Sequence, residues 1–185
     1  MATERSDARR NRARLLDAAR DVFRQGGATV QLADVARAAG VGVGTVHRHF
    51  PTREALLETL AREHVADLVE IAGRAASVED PFEAVGLLLR GLLDAQLGQH
   101  GMASVLTAAV DVEPATTQAK DRLDAAVAVV LTRAQQAHRV RADVGAADLR
   151  RLIGGIELAQ DRRDPAARDH AYRALTIILD GLRAR

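Results

Sequence analysis

A chain of 185 residues fits one compact unit, or a small head fused to a larger body. It is 48% hydrophobic and 28% charged, with only 2% aromatic residues, and its apolar share rests on alanine and leucine, which favours helices and excludes a disordered chain. The absence of cysteine excludes disulfides, thiol chemistry and cysteine-held zinc, and the net charge of +1 divides into +5 for residues 1–53, with ten arginines against five acids, and −4 for the rest. A basic head on an acidic body suits end-on approach to a polyanion. No stretch approaches the roughly 18 uncharged apolar residues of a membrane span. The opening MATERSDARRNR is charged from the start and lacks the apolar centre of a signal peptide, so a soluble, cytoplasmic chain with no membrane partner is expected.

Helical periodicity runs along most of the chain. Leu15, Leu16, Ala19, Val22 and Phe23 share one face of a first helix that Gly26 and Gly27 end. Thr29 is the expected N-cap of a short helix running to Ala39, Gly40 breaks it, and a second short helix is expected over residues 43–50. After Pro51 and Thr52 a long helix over 53–76 carries Leu56, Leu57, Leu60, His64, Leu68 and Ile71 along one side. Asp80, Pro81 and Glu83 form the clearest helix start, an acid at the N-cap and proline at the first helical position. This helix should reach Gly98, followed by a short one over 102–110 and a long one opened by Glu113 and Pro114 that runs to His138. Another is expected from Gly145 or Ala146 to Gln160, and the last is opened by Asp164 and Pro165 and ends near Leu182. The reading is all-α, about nine helices, with a head over 1–52 and a body over 53–185.

The short pair at residues 30–50 meets the demands of a helix-turn-helix. Leu32, Val35 and Ala36 give the inner face and a small crossing residue, Gly40 sits where a sharp turn needs positive φ, and Val41, Val46 and Phe50 close the core. The outer face of the second helix keeps Gly42, Gly44, Thr45, His47, Arg48 and His49, small and polar residues suited to close approach to a major groove. Glycine and valine make this a poor helix on propensity, so its neighbours must hold it. His47 and His49 point about 200° apart on a helix and cannot chelate one ion, so no metal or cofactor is expected.

The run over 30–57, VQLADVARAAGVGVGTVHRHFPTREALL, resembles the N-terminal DNA-binding domain of the TetR family of transcriptional regulators. The arginine-studded first helix ending in FRQGG and the nine-helix plan agree with that resemblance, which is strong over residues 10–60 and implies topology alone for the body. It implies a DNA-binding regulator, a repressor by default, acting as a homodimer on a palindromic duplex and released by a small-molecule effector. Carried over residue by residue, it makes Thr29 and Gln31 phosphate contacts at the start of the second helix, and Gly44, Thr45 and His47 the face toward bases and backbone. His49 becomes a backbone contact, and Arg53 takes the place of a usual lysine at the start of the fourth helix. Gly42 stands where serine or threonine is usual and His47 where tyrosine is usual. The reading surface is therefore barer than the family's, which shifts weight to the N-terminal Arg9, Arg10 and Arg12 and to DNA shape.

Two recognition helices about 34 Å apart require a dimer. The stripe Leu149, Leu152, Ile153, Ile156 and Ala159, with Gly154 and Gly155 allowing close approach, and the stripe Tyr172, Leu175, Ile178, Leu179 and Leu182 are the expected seam. A sensor needs a cavity among the middle helices. Leu89, Leu92, Leu93, Met102, Leu106, Val127, Val130 and Leu131 are its candidate walls, and Gln96, His100, Gln135 and Glu157 its candidate polar groups. A constitutive DNA binder without a ligand is the second reading. An enzyme is disfavoured by the lack of a thiol, a serine-centred nucleophile motif, a phosphate loop or an HExxH pair.

Overall fold

The computed structural model describes residues 2–26, 30–99, 102–161 and 163–184, with side chains from Arg10 onward. Among these residues lie α1 (Ala2–Gly26), α2 (Leu32–Ala39), α3 (Val43–His49), α4 (Arg53–Ala76), α5 (Pro81–Gly98), α6 (Met102–Thr107), α7 (Pro114–Gln136), α8 (Ala146–Leu158) and α9 (Ala167–Leu182), and no strand. One isolated bridge pairs Val140 with Arg183, closing the C-terminal tail onto the α7–α8 loop.

The helix starts follow local chemistry. Asp80 accepts hydrogen bonds from the N–H groups of Phe82 (2.9 Å) and Glu83 (2.8 Å) with Pro81 in the first turn, as the sequence predicts. These N–H groups and nearby Arg139 hold the Asp80 carboxyl below the usual carboxylate range. Several expected boundaries move, and the seventh helix stops at Gln136 rather than His138. The sixth helix stops at Thr107 rather than 110, because the Arg150 guanidinium takes the Leu106 carbonyl and the Lys120 ammonium takes that of Ala108 (3.1 Å). The eighth stops at Leu158. The last begins at Ala167, since Asp164 and Pro165 form a turn in which the Asp164 carboxylate accepts from Ala166 N–H (2.8 Å).

Two hydrophobic cores organise the chain. The head core packs Leu15, Phe23, Val35, Val46 and Phe50 with Leu56, Leu57, Leu60 and Ala61 of α4 and Met102 and Val105 of α6. The body core gathers Leu68, Leu88, Leu92, Leu106, Leu123, Val130, Leu149, Ile153 and Leu175 among others. The head core thus reaches well past residue 52, and both α4 and α6 belong to both cores.

A buried polar grip ties α4 to the α6–α7 loop. The Glu58 carboxylate accepts from Val112 N–H (2.6 Å), Glu113 N–H (2.8 Å) and the Thr116 hydroxyl (2.8 Å), capping α7 from outside its own strand of sequence. Arg62 donates to Thr116 Oγ1 and Thr59 Oγ1, both at 3.0 Å. Lys120 pairs with Asp111 (2.5 Å), and Arg150 forks onto Asp124 (2.8 and 3.0 Å).

Several expected seam and sensor residues take other roles. Leu149, Ile153, Ile156, Leu175 and Leu182 are buried in the chain's own core, so they are withdrawn from the dimer seam. Tyr172, Ile178 and Leu179 are half-buried against that core, and Leu152 is exposed. Among the expected sensor walls, Leu89, Leu93, Leu106 and Leu131 are body core, while Met102 packs into the head core. Gln135 is corrected from pocket to staple, since its amide donates to the carbonyls of Arg141 (3.0 Å) and Val144 (2.9 Å). Gln96 and Glu157 are buried, and His100 lies outside the described residues.

Two predictions follow from these packings. Glu58→Ala leaves three donors without their acceptor and should lower stability by about 2–4 kcal/mol in urea unfolding. His64 is buried and held neutral, its pKa lowered by desolvation against a smaller opposing pull from Asp67. The unfolded chain therefore binds its proton first, and stability should fall as pH drops below 6.5. His64→Leu should flatten that fall when unfolding is followed from pH 7.5 to 5.

Candidate nucleic-acid interface

The turn between α2 and α3 is set by Gly40, whose φ of 68° lies in the left-handed region, and whose N–H caps α2 by donating to the Arg37 carbonyl (3.3 Å). Val41 N–H then donates to the Ala36 carbonyl (3.0 Å), so the chain turns sharply back over the small crossing residue. Leu32, Val35, Ala36, Val46 and Phe50 are buried and Val41 half-buried, which locks α3 onto α2 and α1. The N-cap of α2 is Gln31, whose N–H donates to Asp34 Oδ2 (3.0 Å). Thr29, the expected cap and phosphate contact, lies outside the described residues, as does the side chain of Arg9.

α3 has no side-chain cap, because Gly42 occupies its N-cap position. It is held from behind by buried Val46 and from its end by the Phe50 N–H donating to the Val46 carbonyl (2.8 Å). Its outward surface is Val43, Gly44, His47 and Arg48, with Thr45 and His49 half-buried at the margins. Gly42 and Gly44 both have ordinary negative φ, and among the described residues a Cβ built on either would meet no atom within 4 Å beyond its own neighbours in the chain and helix. No packing among the described residues requires glycine there, and helix propensity argues against it. What benefits from the missing side chains is close approach from outside.

Charge on this end is selective. Arg37 is paired with Asp34, Arg24 with Asp21, and Arg20 with both Asp17 and Glu63. Arg48, by contrast, makes no ion pair or hydrogen bond among the described residues and points from the exposed face. Arg12 lies over the Phe50 ring at 4.9 Å from its centroid. His47 Nδ1 is 3.3 Å from the Pro51 carbonyl, and His49 packs its ring against Phe50. Arg53 forms a strut at the start of α4: its Nε donates to the Val30 carbonyl (2.7 Å) and its guanidinium covers Phe23 (5.4 Å), pinning the start of α4 to the chain entering α2. Val43 also lies on this face, although a valine at the start of a short helix reads in sequence as core. At 45% exposed it presents an apolar group on the outer face, the type that meets a thymine methyl.

Residues 80–184 match the family described as "Transcriptional regulator SbtR-like, C-terminal domain", and residues 15–60 match "Bacterial regulatory proteins, tetR family". The chain belongs to the TetR family of bacterial transcriptional regulators. It is 45% identical over 89 residues to the HTH-type transcriptional repressor LfrR of Mycolicibacterium smegmatis, a match spanning 48% of this chain and 44% of that protein. The chain therefore spans less than half the length of that curated relative. The TetR transcriptional regulator SCO0520 of Streptomyces coelicolor superposes with a TM-score of 0.57 at 34% identity, covering 94% of this chain and 98% of its own. The TetR regulatory protein of Mycobacterium vanbaalenii gives a TM-score of 0.54 at 35% identity, covering 97% and 99%. The basic, glycine-faced head is thus the DNA-binding domain of a TetR regulator, a family of regulators rather than enzymes. Among the described residues no helix is long and apolar enough to cross a membrane.

Gly40→Ala should destabilise the TetR head by about 1 kcal/mol or more, because alanine is strained at positive φ. Gly44→Ala should do the reverse, raising stability by up to about 1 kcal/mol in thermal or urea unfolding while weakening duplex binding. A variant that gained stability and bound DNA as well as the parent would show that α3 does not approach DNA closely.

Proposed function

We propose that this chain represses transcription as a homodimer, setting α3 of each copy into successive major grooves of a palindromic operator, and that a small molecule bound in the body releases it. The observation that carries the reading is the outer face of α3, where Gly42 and Gly44 have no internal reason to be glycine and Arg48 stands unpaired among the described residues. The likeness of part of the chain to a named repressor supports repression over activation. In this reading Arg48 contacts phosphate or a guanine edge, Val43, Gly44, Thr45 and His47 face the bases, and Gly42, His49, Gln31 and Thr29 lie along the backbone. Arg53 holds that surface in place from behind.

The dimer is supported by an apolar stripe left uncovered on α8 and α9. Leu152, Gly155 and Leu158 follow at helical spacing on α8, with Leu158 54% exposed, and Ile177 on α9 is 64% exposed with Gly181 one turn further on. The buried stripe Leu149, Ile153 and Ile156 on the opposite side of α8 anchors it to the body, so the seam uses the residues that the core leaves out.

Duplex affinity should fall steeply with salt, with a log–log slope near −0.9 per phosphate contacted, and Arg48→Ala should reduce that slope by about 1. His47 and Thr45 variants should change the sequence selected from a random duplex pool more than the affinity for bulk DNA. Leu158→Glu combined with Ile177→Glu should give a folded monomer in sedimentation. If that double variant stayed dimeric, the stripe would not be the seam.

A further inference from the structure

Two buried polar side chains stand out in the body. Both ring nitrogens of His64 and the amide oxygen of Gln96 are shielded from solvent with no hydrogen-bond partner among the described residues, and each residue is only 2% exposed. Folded proteins pair such groups with protein, water or ligand, because an unmet one is destabilising by about 1–3 kcal/mol.

The two groups come from facing positions. The Ile71 side chain packs where a Cβ on Gly91 would lie 2.6 Å away, and Leu60 and Gly98 line one cleft, so α4 and α5 run antiparallel in a defined register. His64, one turn on from Leu60, then comes level with Gln96, half a turn before Gly98. Gln96 Oε1 lies 3.8 Å from where a Cβ on Gly154 would stand, and Ala103 of α6 flanks the same spot at 3.9 Å, so α6 and α8 close this level from the other sides. On α4, Leu60 and Ala61 before His64 belong to the head core, and Val65 and Leu68 after it to the body core.

A cleft of about 200 Å³ opens one turn away, lined by Arg20, Phe23, Arg24, Leu60, Gln99 and Met102. Its walls come from α1 and from the helices that carry His64 and Gln96. Arg20 is bound to Asp17 and Glu63 and Arg24 to Asp21, so the mouth is polar without being an anion trap. No carboxylate lines it to draw in a cation.

We propose that this cleft is the entrance to the effector site of the regulator, and that His64 and Gln96, one turn beyond its wall residue Leu60 on α4 and half a turn before Gly98 on α5, are the polar anchors for a small, uncharged, largely apolar molecule bearing a hydroxyl. The inference rests on the ligand-release reading above and specifies its site and ligand class. A hydroxyl both donates and accepts, so it serves an amide oxygen that needs a donor and a neutral imidazole that offers one donor and one acceptor. A carboxylate has no proton for Gln96, and an ammonium would be buried without a counter-charge. Met102 is the wall able to yield, unbranched and shared with the head core, so its displacement carries the signal to Phe23 and α1.

The test uses the full-length protein with ¹⁵N-labelled histidine, titrated with 1-octanol and 1-naphthol, with octanoate and octylamine as charged controls. At least one alcohol should shift the His64 ring nitrogens saturably, leave the distant His138 and His170 unmoved and bind at least tenfold more weakly to Gln96→Leu. Without ligand, His64→Leu and Gln96→Leu should melt at or above the parent temperature, because each removes an unmet polar group. Melting several degrees lower would mean that these groups have partners within the chain and would overturn the proposal. So would no saturable shift with either alcohol, or equal binding of the charged controls. Affinity for a duplex selected from a random pool, measured on the same samples, separates the layers. Intact DNA binding with no shift at His64 overturns the site alone, whereas a shift at His64 with unchanged duplex affinity upholds the site and removes the release mechanism.

Discussion

α4 has to be buried by two cores at once. Its first two turns, Leu56, Leu57, Leu60 and Ala61, close the head core, and the turns from Val65 to Ala75 line the body core. Because a helix is stiff over this length, the head cannot change its tilt without moving side chains inside the body, and the reverse holds as well. The Glu58 grip sharpens the constraint by fastening α4 to the start of α7, where the carboxylate meets backbone N–H groups that the helix cannot satisfy internally. α6 repeats the arrangement in one short helix, giving Met102 and Val105 to the head and Leu106 to the body.

The head was legible in the sequence because its constraints are local. A glycine at a turn, apolar residues three and four apart and a proline at a helix start each act within a few residues, and Gly40, Val35 to Ala39 and Pro81 fell where the pattern put them. What was not legible depends on the third dimension. An apolar stripe on α8 reads the same whether it faces the chain's own core or a partner, so Leu149, Ile153 and Ile156 read together with Leu152 as one seam, whereas the first three are buried in the chain's own core and Leu152 and Leu158 are exposed. Arg53 and Gln135 look like surface donors in sequence, yet their partners are the carbonyls of Val30, Arg141 and Val144, which come close only on folding. Glu58 gave no signal at all, since its three donors lie more than fifty residues away.

The recognition helix sets a weak local preference against strong tertiary support. α3 is seven residues long, with a glycine at its N-cap and another within it, too short to persist alone. Val46 and Phe50 on its inner side fix it to a core made mostly by α1, α2 and α4, so its outer face is free to be chosen for what lies opposite rather than for helix stability. This division of labour explains how a short helix with glycine at two of its positions, 42 and 44, can still be rigid.

Gly154 in α8 has a consequence of a different kind. A side chain there would run into the Thr107 methyl at the end of α6, with Ala103 close behind. Positions 107 and 154 are therefore bound together in inheritance: a methyl group can be gained at 154 only if the bulk opposite is given up first.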